Sequence, residues 1–184
     1  SSTAPKSIKW KFWIGLRRTA NESFAYIGYT DTNKSEGLTD SNRFRETIQA
    51  LESIGIKDDK LDHLTKALCI VLQLGNLGFD EHHGDSDTST VTTKNDLKAL
   101  ADLMQVPSDQ LAMAMTERTF HTRDATHKVP LNAAAAKEAC DALAKEAYQK
   151  IFLWLVSSVN EATSGQHVAR AQEGEGAEDG SSEA

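Results

Sequence analysis

Between Pro130 and Thr163 the sequence carries its longest run of helical periodicity. Apolar residues recur at Cys140, Leu143, Ala144, Ala147, Tyr148, Ile151, Phe152, Leu155 and Val159, three and four apart, a spacing that lays one stripe along a face of an α-helix. Asn132 stands where a cap belongs, and Pro130 marks the end of an extended lead-in. Leu153, Trp154 and Val156 fall off that stripe. The second half is therefore apolar almost all round and is expected to be buried, with a partner on each side.

Shorter helical patterns precede it. Thr39, Asp40 or Ser41 can cap a helix whose inner face is Phe44, Ile48 and Leu51, ended by Gly55. A second starts near Asp58 and Asp59, buries Leu61, Leu64, Leu68, Val71 and Leu72, and stops at Gly75-Asn76. Lys94 to Gln105 reads as a third, through Leu97, Leu100, Ala101 and Met104, and Pro107 opens a short fourth with Leu111 and Met115. Met104, Met113 and Met115 are expected to fill core gaps. Phe24 to Ile27 reads as briefly extended, followed by a polar loop from Asp31 to Gly37, and Leu77-Gly78-Phe79 as an extended exit. From Arg118 to Val129 the period changes to that of a β-hairpin, with its turn at Arg123-Asp124-Ala125. The fold class is mainly α, with this one small hairpin.

Composition narrows the picture. The 184 residues, 39% of them hydrophobic, are enough for one ordinary core. A net charge of −7 argues against a nucleic-acid binder, which needs a concentrated basic face. No apolar run reaches the roughly 20 residues of a membrane span. Cys69 and Cys140 sit inside apolar stripes, as free thiols do in a reducing compartment. A chain beginning at Ser1 without Met is expected of a fragment or a processed product. Residues 1–23 are basic and aromatic, with Lys6, Lys9, Trp10, Lys11, Phe12, Trp13, Arg17 and Arg18, and read as an extension docked on its own domain rather than a membrane or targeting segment. Residues 164–184 are Gly, Ser, Ala and acid, the composition of a disordered tail.

Candidate chemistry is sparse. Asp80 to Thr90 is a polar loop whose His82, His83 and Asp85 could bind metal, but adjacent loop residues impose no coordination geometry, and a solvated loop is the simpler reading. His63, His121, His127 and His167 are scattered, and Ser157-Ser158 has no designated base. The hairpin is basic at Arg118, Arg123 and Lys128.

Three landmarks, in order, resemble the myosin motor domain. They are Phe44-Arg45-Glu46-Thr47 leading to Ala50 through Gly55; Leu72-Gln73-Leu74-Gly75-Asn76-Leu77-Gly78-Phe79; and Pro130-Leu131-Asn132 followed by Asp141 to Lys145, Tyr148, Phe152 to Val156 and Asn160-Glu161. The resemblance covers about residues 24–163 and leaves 1–23 unmatched. It implies a helical piece of a P-loop NTPase motor, part of the upper 50-kDa subdomain, in which the long helix leads towards switch two. It further implies that the hairpin is the loop that contacts actin. Arg118, His121, Arg123 and Lys128 are the candidate contacts, their charge suited to the acidic actin surface. The family's acidic or phosphorylatable regulatory position falls sixteen residues before Asp141, at Ala125, flanked by Asp124 and Thr126.

The departures are chemical. Phosphoryl transfer needs a Gly-rich loop with Lys on the phosphates, a hydroxyl on Mg²⁺ and switch residues that order water. No glycine here is followed by lysine, no switch-one Asn/Ser/Arg run occurs, and after Thr163 the chain goes to Gly165-Gln166-His167 instead of the switch-two Asp-any-any-Gly-Phe-Glu strand. The chain alone is thus expected to bind no cofactor and not to hydrolyse ATP. ATP and Mg²⁺ belong to an intact motor, cytoplasmic and cytoskeleton-associated, whose partners are the actin filament and the remaining motor subdomains. The competing reading is a truncated, stand-alone actin-binding module without ATPase activity.

Overall fold

The computed structural model describes residues 24–27, 40–123 and 125–175, with side chains from residue 42 of the first helix to residue 164 of the last. The expectations for residues 1–23, the loop from Asp31 to Gly37 and residues 176–184 lie outside the described residues, as does Asp124. Helix α1 spans Asp40–Ser53 and α2 Asp59–Gly75. Strands β1 (Phe79–His82) and β2 (Asp85–Val91) follow, then α3 (Lys94–Met104), α4 (Ser108–Thr116), β3 (Glu117–His121), β4 (Thr126–Pro130) and the 43-residue α5 (Ala133–Glu175). The architecture is mainly α, with two antiparallel two-stranded ribbons.

The core forms where α2 and α5 lie antiparallel. Near the end of α2, Val71, Leu74 and Leu77 pack with Val91, Leu97, Leu100, Leu111, Met115, Cys140 and Ala144. Near its start, Leu61 and Leu64 join Ile56 and receive Ile48, Leu51, Ile151 and Leu155. Apolar burial of this kind is the main stabilising term. The one buried polar side chain, among the described residues, is Gln73, and its amide donates to Asp96 Oδ1 at 2.9 Å. Asn132 caps α5 as expected: its Oδ1 accepts the Ala135 N–H at 2.8 Å.

Several expectations are corrected. Phe24 to Ile27 is a turn, closed by Ile27 N–H donating to the Phe24 carbonyl at 3.1 Å. Phe24 itself is buried against Cys69, Leu72 and Leu103. Residues 80–90 are not a loop but the β1–β2 hairpin. His83 and Gly84 both take positive φ (52° and 78°), the two-residue turn that suits a right-twisted ribbon. Polar residues along most of both strands left no apolar alternation to read. The apolar stripes are also narrower than predicted. Phe44, Leu68, Met104 and Met113 are exposed, so only Met115 of the three methionines fills the core.

The largest correction concerns α5. Its packed face is Ala136, Cys140, Ala144, Ala147, Ile151 and Leu155. Leu143, Tyr148, Phe152, Leu153, Trp154, Val156 and Val159 are exposed. The neighbours cover only one side of α5 between Cys140 and Leu155, so Leu143, Tyr148, Phe152, Leu153 and Trp154 lie level with packed residues but on uncovered sides of the helix. Beyond Leu155 length adds to this: at 1.5 Å per residue α5 runs about 65 Å and α2 about 26 Å, so α5 outreaches its partner. The helix also continues to Glu175 through residues whose composition predicted a disordered tail. Gly165 and Gly174 do not stop a helix already nucleated over eight turns.

Candidate functional site

The basic hairpin grows directly from the helical body. Helix α4 ends at Thr116 and β3 begins at Glu117, while only Leu131 and Asn132 separate β4 from α5. Two bonds clamp this root: Leu131 N–H donates to the Thr116 carbonyl at 2.8 Å, and Ser89 Oγ donates to the Leu131 carbonyl at 2.7 Å. Within α4 itself, Thr116 Oγ1 donates back to the Ala112 carbonyl at 3.0 Å. The ribbon pairs Glu117 with Pro130, Arg118 with Val129, Thr119 with Lys128, Phe120 with His127 and His121 with Thr126. Its turn is closed by Thr122, whose N–H and Oγ1 both donate to the Ala125 carbonyl.

Alternation along the strands divides the side chains between two faces. One face carries Glu117, Thr119, His121, Thr126 and Lys128. Its groups are already engaged: Lys128 Nζ lies 3.5 Å from Glu117 Oε2, and His121 Nδ1 is 2.9 Å from Thr126 Oγ1. The other face carries Arg118, Phe120, His127 and Val129. There Phe120 and His127 stack with centroids 5.2 Å apart and planes 22° from parallel, and Phe120 is 43% exposed. Arg123 is exposed at the tip. The four candidate contacts are thus not one patch. His121 and Lys128 share a face, Arg118 lies on the opposite one, and Arg123 lies between them at the turn. Of the regulatory candidates, Ala125 and Thr126 close the turn, with the Thr126 hydroxyl against His121. Phe120 and Glu117 were not singled out from the sequence, and His127 was read there only as one of four scattered histidines. The signal was present, because fixing the turn fixes the register and hence which residues share a face.

A second cluster fixes the first turns of α5 against the end of α2. The Tyr26 hydroxyl donates to Asp141 Oδ1 at 2.5 Å. Lys137 Nζ lies 2.9 Å from the same oxygen, donates to the Gly75 carbonyl at 3.2 Å, and stands 5.6 Å from the Tyr26 ring centroid. The ring covers Gly75 so closely that a Cβ there would meet it at 2.7 Å. Burial, then the bond to and the charge of Asp141, pushes the Tyr26 hydroxyl well above its ordinary pKa. For Asp141 burial acts upward, but the Tyr26 bond, Lys137 and Lys145 outweigh it and hold the carboxyl below its usual range. Burial pushes the thiols of Cys69 and Cys140 up to about 11. Cys140 Sγ donates to the Leu74 carbonyl at 3.4 Å. Among the described residues no three His, Cys, Asp or Glu side chains converge on a metal-sized site, and no helix is long and apolar enough to cross a membrane.

Comparison with known proteins agrees with the landmarks and extends them. The family "Myosin head (motor domain)" matches residues 8–173, so the likeness begins within the N-terminal segment that the motifs left unmatched. Relatives include Myosin-1 of Coccidioides immitis (strain RS), 30% identical over 87% of this chain and 13% of that protein. Myosin IC heavy chain of Dictyostelium discoideum is 35% identical over 76% of this chain and 12% of its own length. Unconventional myosin-Ib of Rattus norvegicus is 32% identical over the same two shares. The chain therefore spans about an eighth of the length of each of these three relatives. With nearly its whole length matched by the family and the landmark residues in helices that pack together, the chain belongs to the myosin motor-domain family.

Proposed function

We propose that this chain is the actin-contacting part of the upper 50-kDa subdomain of a P-loop NTPase motor, the family's ATP-driven actin-based machine. The observation that carries the proposal is the basic hairpin, held out from the body on a clamped root. Arg118 and Arg123 have no carboxylate partner among the described residues, and their charge would steer encounter with an acidic filament more than it would set final affinity. The other motor subdomains would complete the assembly around α5, which leads towards switch two in this reading. ATP and Mg²⁺ we assign to other segments of such a motor, because the sequence has no glycine-lysine phosphate loop. The motor would work in the cytoplasm, on the actin cytoskeleton.

Co-sedimentation with filamentous actin at low and moderate salt tests this, with an R118A/R123A/K128A variant beside the original. The expected result is binding that weakens as salt rises, since exposed charges are screened beyond about 8–10 Å, and that the variant loses. Absence of binding by a folded sample would sink the reading of the hairpin as an actin contact in this chain.

A further inference from the structure

The two faces of the β3–β4 ribbon are chemically unlike, and resting on the actin reading above we infer that the hairpin meets its acidic partner through one of them only: the face of Arg118, Phe120, His127 and Val129. Three observations favour that face. It carries no acid among the described residues, whereas the opposite face carries Glu117, which would repel an acidic surface. Its cation has no carboxylate partner among the described residues, whereas Lys128 already has a carboxylate at 3.5 Å. Finally it offers an exposed aromatic stack on the same face as Arg118, and aromatic and arginine side chains are the residues that concentrate binding energy at protein interfaces. Arg123, at the tip, is open to either side. The cross-strand stack also fixes the ring of Phe120 before any partner arrives, so little side-chain freedom remains to be lost on binding.

A one-faced contact separates residues that charge alone treats alike. Arg118→Gln and Lys128→Gln each remove one positive charge, so a contact governed by net charge loses equally from both. If one face makes the contact, Arg118→Gln weakens actin co-sedimentation at least about fivefold and Lys128→Gln changes it less than about twofold. Phe120→Leu, which keeps apolar bulk but loses the flat ring, weakens it by a similar factor to Arg118→Gln at every salt concentration. Circular dichroism and the thermal midpoint show whether each variant keeps the fold, and Thr119→Ser serves as the neutral control on the opposite face. Equal losses from Arg118→Gln and Lys128→Gln, or a larger one from Lys128→Gln, overturn the face assignment while leaving actin binding intact. Absence of binding by the unaltered chain overturns the actin reading itself, and this inference with it.

Discussion

Asp141 is the residue on which the position of α5 depends most visibly. Its carboxylate receives Tyr26 and Lys137 at once and is held in its charged form. A depressed folded-state pKa gives stability that is present above the unfolded value, near 3.9, and lost as pH falls through the folded one. Acid titration followed by circular dichroism is therefore expected to show an unfolding limb below about pH 4 that is shallower in Asp141→Asn. Tyr26→Phe removes one donor from that carboxylate and is expected to cost about 1 kcal/mol in denaturant melts. Gly75→Ala drives a methyl into the Tyr26 ring, with an expected cost of about 1–2 kcal/mol. The thiols of Cys69 and Cys140 are buried and raised to about 11. Both are expected to react slowly with iodoacetamide at pH 8 until the chain is unfolded. None of these pairings was legible beforehand. Tyr26 and Asp141 lie 115 positions apart, and only folding brings them together.

The elements were read best where one period dominates. Asn132 was recognisable as a cap because an uninterrupted helical run follows it, and Asn132→Ala is expected to lower stability by about 1 kcal/mol in the same melts. The β3–β4 hairpin was visible because β-branched and aromatic residues flank a turn. The β1–β2 hairpin was not: Asp80, Glu81, Asp85 and Asp87 offer no apolar alternation, and the decisive residue, Gly84, is a single letter. The inner faces of the helices were read too wide for a related reason. Periodicity marks which residues share a side, whereas burial also requires a neighbour within reach, and among the described residues none covers Phe44 or Leu68. The candidate contacts were correctly placed on a hairpin, but reading them by charge alone merged two faces that the ribbon keeps apart.

At the scale of the whole molecule, α5 leaves Tyr148, Phe152, Leu153 and Trp154 in solvent. Beside them lies a groove of about 450 Å³ lined by Lys60, His63, Leu64, Ala67, Lys150, Ile151 and Trp154. An apolar surface of that extent is adhesive. The isolated chain is expected to associate as concentration rises, in sedimentation velocity or light scattering, and a Phe152→Ser/Trp154→Ser variant to do so less. A monodisperse monomer at high concentration would count against this. The clamped root of the β3–β4 ribbon has a different consequence. Each strand is about 17 Å long, and no slack joins it to α4 or to the start of α5. The ribbon is thus the short hand of a clock whose arbor is the α4–α5 junction. A rotation of about 10° at that junction sweeps the tip through about 3 Å, roughly the length of a hydrogen bond, so a turn too small to disturb the core is enough to make or break a contact at Arg123.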